Sequence, residues 1–184
     1  WCVMGKHSFE HDTARPLLWV AAGTLGAASE VWLMRQIRGF TAHDVEVLTW
    51  EDWRSDQEQQ EFVVHMMQPP LPSRRSEVGL QKWVSRFVRL PHRNFLAAIP
   101  SEVAAIERLA IKRRPAVILC HFGFTGLRMQ PVASSLGIPL AVHFHGLDVS
   151  GSLRNRWYRW SLLANLHRFD AMIVVGSQQR DWLL

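Results

Sequence analysis

Short runs of consecutive apolar residues alternate along this chain with longer segments in which apolar positions recur every three or four residues. Leu17 to Ala22, Val45 to Thr49, Ala116 to Cys120, Leu140 to Phe144 and Ala171 to Val175 read as strands, and the near absence of polar alternation suits burial on both faces of a parallel sheet. Ser29 to Arg38 places Val31, Leu33, Met34 and Ile37 on one helical stripe. Ser55 to Met67, Glu77 to Leu90, Ser101 to Arg113, Thr125 to Leu136, Leu153 to His167 and a segment from Ser177 also read as helices, with Ser101 the expected N-cap of its helix. Pro69, Pro70 and Pro72 form a rigid break that no helix continues through. Strands separated by helices, with no internal repeat, predict an α/β fold: one Rossmann-like domain over residues 1–184, its parallel sheet covered by helices on both faces.

The chemistry-bearing residues gather where these strands end. His121-Phe122-Gly123 follows one strand and His145-Gly146-Leu147-Asp148 the next, and in open parallel sheets ligands sit outside the carboxyl ends of the strands. His145, His121, Gly123, Gly146 and Asp148 are therefore candidate ligand contacts. Each has a plainer use as well: a strand-end histidine bonds backbone, and a short carboxylate caps a helix. His143, two residues before His145, shares its face of an extended strand. Three histidines invite a zinc site, but no recognised ligand spacing is matched, and no metal is expected. Ala21-Ala22-Gly23-Thr24-Leu25-Gly26 resembles a dinucleotide fingerprint with its first glycine replaced by alanine, and Glu51 or Asp52 stands where a ribose-binding acid would. That leaves an NAD-dependent oxidoreductase domain as an alternative. Gly26 would in either case let backbone amides approach a phosphate.

Composition narrows the class. At 184 residues and 48% hydrophobic the chain builds a substantial core and is not of disordered type. Cys2 and Cys120 lie far apart, which argues against a disulfide framework and for a reducing compartment, with Cys120 a small core residue. The apolar run from Pro16 to Ser29 is too short to span a bilayer, and reads better as strand, turn and helix than as a signal peptide. The chain opens at Trp1 rather than methionine, so its amino end is not read as a biological terminus. Lysine and arginine number 21 against 16 acids, a net charge of +5. This modest excess suits a phosphate-bearing ligand or an anionic membrane surface; with acids interspersed and no recognition motif, nucleic-acid binding is not expected. Nine tryptophans are a further excess. Trp83 and Phe87 lie among Lys82, Arg86, Arg89 and Arg93, and Trp157 and Trp160 among Arg154, Arg156 and Arg159. This mixture belongs at an anionic interface, unless the tryptophans fill the core while the arginines stay solvated, the reading slightly favoured.

Several stretches resemble the amino-terminal domain of a family 4 glycosyltransferase of the GT-B type, in the branch that builds bacterial capsular and exopolysaccharides. Ser29-Glu30-Val31-Trp32 with Gln36-Ile37 resembles the Ser-Glu-Thr-Phe opening of that branch's first helix. His121-Phe122-Gly123 resembles its His-Phe-Gly turn, Gly137-Ile138-Pro139 through Asp148 its Gly-Ile-Pro to His-Gly-Tyr-Asp segment, and Phe169-Asp170 through Ser177 its Asp-to-Ser strand. The resemblance spans roughly residues 16 to 184, apart from Trp53 to Pro100. It implies transfer of a sugar, with retention, from a nucleotide-sugar donor to a polysaccharide or lipid-linked acceptor, without a cofactor or an Asp-x-Asp metal motif. His145 would contact the transferring sugar as the catalytic residue, and Gly26, Ser29, Glu30, His121, Gly123, Gly146, Asp148 and Ser177 would line the substrate site, with Asp148 holding the His-Gly turn or meeting the acceptor. The donor would be held mainly by a carboxyl-terminal domain that this sequence does not contain, so this half alone should not turn over. The resemblance further implies a cytoplasmic enzyme, peripheral at the inner face of the cell membrane. Val31, Trp32 and Leu147 depart from the family's Thr, Phe and Tyr, and supply no hydroxyl. A non-catalytic membrane-associated domain of the same fold is the remaining alternative.

Overall fold

The computed structural model describes residues 15–28, 31–55, 61–67 and 100–183. Its elements run β1 (Leu17–Leu25), α1 (Val31–Gly39), β2 (Asp44–Asp52), β3 (Val63–Met66), α2 (Pro100–Arg113), β4 (Val117–His121), α3 (Gly123–Leu136), β5 (Leu140–Phe144), α4 (Arg156–Asn165), β6 (Ala171–Val174) and α5 (Ser177–Leu183), with single 3-10 turns on either side of α4. The six strands form one parallel sheet in the order β3-β2-β1-β4-β5-β6. This is the Rossmann-like sheet expected from the sequence. Strand order reverses between β1 and β4, which opens a crevice at their carboxyl ends.

Period-two alternation in the strands sorts the core into two layers. Trp19, Ala21, Ile118, Cys120, Val142 and Phe144 point to the layer formed with α2, α3 and α4, where Ile106, Met129, Tyr158 and Leu162 are fully buried. Leu18, Val20, Ala22, Val47 and Leu119 point to the opposite layer, formed with Leu33, Met34 and Ile37 of α1. Each such aliphatic side chain removed from water contributes roughly 1.5–3 kcal/mol. Cys120 is buried and free, as a core residue, and burial pushes its thiol pKa up.

Three sequence expectations need correction. Residues 63–66 form a strand, not the end of a helix, because Val63 to Met66 pair in register with Glu46 to Thr49 of β2. Ser101 does not cap α2, which already begins at Pro100, a residue suited to a first helical turn. The Gly23-Thr24-Leu25 segment is not a turn: it prolongs β1, with Thr24 and Leu25 opposite Glu51 and Asp52. A dinucleotide fingerprint needs its glycines in the turn itself, so the resemblance of Ala21 to Gly26 to one is not realised. The expected helix from Glu77 to Leu90, with Trp83 and Phe87, lies outside the described residues, as do the proline break and Cys2.

A buried polar cluster sits toward the amino ends of the strands. Glu46 accepts from Trp19 Nε1 at 3.1 Å, pairs with His65 Nε2 at 2.9 Å and bonds Arg113. Burial alone would raise its carboxyl, but these partners hold it below the ordinary range. It fastens β1, β2, β3 and the end of α2 at the edge away from the crevice.

Candidate active site

The register of β4 on β5 makes His121 and His143 direct neighbours across the ladder. Both side chains leave on the α1 side of the sheet, and His145, two residues on, rejoins them there. His121 Nδ1 lies 3.3 Å from His145 Nε2, and one potential ligand atom from each of the three rings lies within 4.8 Å of the others. Trp32, on the second residue of α1, lies over this cluster, its ring centroid 4.3 Å from that of His145 and 5.2 Å from that of His121. Phe122 closes a further side, 4.6 Å from His145 and stacked on Phe124 at 5.2 Å.

Burial disfavours the imidazolium form here, and like charges add to the effect. The pKa of His121 is pushed down to about 3 and that of His145 to about 4, with His143 lowered as well. At neutral pH the cluster is therefore uncharged, and each ring offers one N–H donor and one lone pair. Such rings orient hydroxyls and dipoles; they are not standing cations for a phosphate.

Asp148 locks the two turns together. It is wholly buried, with Oδ2 accepting from the Gly123 backbone N–H at 2.8 Å and Oδ1 from the His145 N–H at 2.7 Å. The carboxylate thus ties the start of α3 to the end of β5 and fixes where His145 begins. Burial nevertheless raises its pKa to about 6 despite these bonds. Gly123 is needed for space: a Cβ there would collide with the Tyr158 hydroxyl and come within 2.7 Å of Phe144. Between His121 and Gly123, Phe122 adopts φ 69° and ψ 143°, a backbone region largely confined to glycine. That strain turns the chain sharply out of β4 and aims His121 and the Phe122 ring to the same side.

His121, Gly123, His145 and Asp148 are thus brought together. Gly26, with φ +82°, instead abuts Arg54, whose backbone nitrogen would lie 2.7 Å from a Cβ placed there. Arg54 is buried and pairs with Asp52 at 2.9 Å, so the acid at the end of β2 is already engaged. Gly146 is exposed with open space around it, and Ser177 is exposed at the start of α5. Ser29 and Glu30 lie outside the described residues. Sequence reasoning gave no role to Trp32, Phe122 or Arg54. The aromatic pair had a signal, large rings beside the two candidate segments; nothing marked Arg54 as buried.

The histidines, the buried carboxylate and the covering tryptophan thus stand at the carboxyl edge of a doubly wound α/β sheet, where such sheets bind ligands. The chain belongs to the glycosyl transferase 4-like domain family, whose model matches residues 26–184. No curated protein sequence matches it. Among solved structures it is similar to TcCGT1 in complex with UDP, at 13% identity and a TM-score of 0.43 over 71% of this chain, and it spans only 28% of that protein. It is also similar to VPA0982, a protein of unknown function from Vibrio parahaemolyticus RIMD 2210633, at 10% identity and a TM-score of 0.41, over 91% of this chain and 97% of that one. At these scores neither likeness bears on the site.

Proposed function

We propose that this chain is the acceptor-side half of a GT-B glycosyltransferase, which transfers a sugar with retention from a nucleotide-sugar donor to a saccharide or lipid-linked acceptor in bacterial surface-polysaccharide synthesis. The observation that carries this reading is the convergence of His121, His143 and His145 beneath Trp32 at the carboxyl edge of the sheet, within a glycosyl transferase 4-like domain. In such a transfer, charge develops on the leaving diphosphate and on an oxocarbenium-like sugar, so fixed dipoles in a water-poor site lower the barrier more than a strong base would. His145 serves as a neutral imidazole contacting the transferring sugar. His121 holds the orientation of that ring, Asp148 holds its backbone, and Trp32 offers an apolar face of the kind that covers a sugar. The donor diphosphate is bound mainly by a carboxyl-terminal partner domain.

The test is stereochemical. An enzyme joining this chain to a donor-binding domain should release a product with the anomeric configuration of the donor, read by proton NMR during turnover. An inverted product would refute retention, and no transfer from any nucleotide sugar would refute the reading.

Peripheral membrane attachment belongs to the same proposal, and α4 supports it. Trp157 and Trp160 are 64% and 67% exposed, where a core role would have buried them, and with Leu163 they form an apolar ridge flanked by exposed Arg156 and Arg159. Exposed tryptophans among arginines suit the headgroup boundary of an anionic bilayer. None of the described helices is long and apolar enough to cross a membrane. Replacing Trp157 and Trp160 together by serine should abolish co-sedimentation with phosphatidylglycerol vesicles at low salt and leave the melting temperature unchanged. Equal binding by the double variant would exclude α4 as the contact.

A further inference from the structure

We propose that His121, His143 and His145 form a three-nitrogen binding site for a borderline transition-metal ion, zinc being the representative. The spacing along the chain hides this site, because β4 and β5 supply ligands 22 residues apart that only their pairing brings together. Two nitrogens each about 2.0–2.1 Å from a tetrahedral ion lie about 3.4 Å from one another. His121 Nδ1 and His145 Nε2 already stand 3.3 Å apart, and the third ring supplies an atom within 4.8 Å of both. Closing the remaining gap requires the half-buried His143 and His145 rings to turn toward His121.

A second observation points the same way. The buried Nδ1 of His143 has no hydrogen-bond partner, while His121 turns its Nδ1 toward His145. Buried ring nitrogens ordinarily find an acceptor or donor in the protein. Here the rings face one another, so an electron-pair acceptor among them would engage the free His143 nitrogen and send the proton held between His121 and His145 to an outer ring nitrogen. The nearby carboxylate does not compete, since both Asp148 oxygens are bonded to backbone N–H groups. Three neutral imidazoles with no carboxylate select zinc, copper, nickel or cobalt over magnesium or calcium, and leave a fourth position open as three-histidine sites do. The site stands on ring geometry, but it uses the His145 ring that the transfer reading turns toward the sugar, so an ion held there and that contact exclude each other.

Untagged protein titrated with Co2+ at pH 7.5 should show saturable one-to-one binding. It should also develop the visible absorption of a four- or five-coordinate nitrogen-ligated ion, which Zn2+ then displaces. His143→Ala should weaken Co2+ binding by at least about tenfold, and circular dichroism with a thermal melt confirms that the variant is folded. If that variant is unfolded, His145→Gln provides the same comparison. Absence of saturable binding in the wild-type chain would overturn the proposal, as would a folded histidine variant that binds Co2+ as wild type does. Absence of Co2+ binding overturns the metal site alone; sugar transfer is read separately, with a nucleotide sugar in the metal-free longer enzyme.

Discussion

Gly123 and Asp148 show how few atoms set the position of His145. Alanine at 123 would drive a methyl group into Tyr158 and Phe144, both immobilised in the core, so Gly123→Ala should cost about 2 kcal/mol, as overpacking does, in urea unfolding. Asp148→Ala should cost about 3 kcal/mol, because two buried N–H groups lose a shared acceptor. Asp148→Asn keeps one carbonyl acceptor but turns its NH2 toward the other backbone N–H, so it should recover only part of that loss. An asparagine variant as stable as wild type would mean that the second acceptor does not hold the turn. The resemblance gave Asp148 two uses, holding the His-Gly turn or meeting the acceptor; its burial and its two backbone bonds fit the first. The sequence displayed the carboxylate and its turn, but it could not show that both oxygens were engaged.

Among the elements, legibility followed how local the deciding forces were. Leu140 to Phe144 is a strand in sequence and structure alike, and Ala116 to Cys120 is displaced by only one residue, because a short run of branched and aliphatic residues bounded by Gly, Pro and His has one reading. Val63 to Met66 read as the end of a helix, and pairing with β2, a contact remote in sequence, made it a strand instead. The gathering of His121, His143 and His145 at neighbouring strand ends was legible, but their separations were not, since those are a property of the β4–β5 register.

That convergence has a pH signature. Unfolded histidine takes up a proton near 6.5, whereas folded His121 and His145 stay neutral down to about 3 and about 4. Between these limits the unfolded state binds more protons, so acidification through this window favours unfolding. Asp148 opposes this, being protonated near 6 when folded and near 3.8 when unfolded, but its single shift is smaller than the two histidine shifts combined. The urea midpoint should therefore fall between pH 7 and pH 4.5, and His121→Phe should flatten that slope. A midpoint that is constant or rises on acidification would contradict the burial of neutral histidines.

At the scale of the whole molecule, the doubly wound sheet separates three tasks. Glu46 and its partners fasten the far edge, the two apolar layers hold the sheet rigid, and the carboxyl edge carries the histidines. Alternation of strand and helix in the sequence sufficed to foresee that architecture. It did not reveal the tryptophans' surroundings, because an amphipathic helix reads alike whether its aromatic face meets the core or a bilayer; α4 buries Tyr158 and Leu162 and leaves Trp157 and Trp160 outside. The account as a whole rests on His145 meeting the sugar. Its most direct test is single-turnover transfer by the enzyme that joins this chain to its donor-binding domain, comparing wild type with His145→Ala at equal thermal stability. The account predicts a rate lower by at least about a hundredfold in the variant, the scale of losing a positioned transition-state contact; an unchanged rate would contradict it.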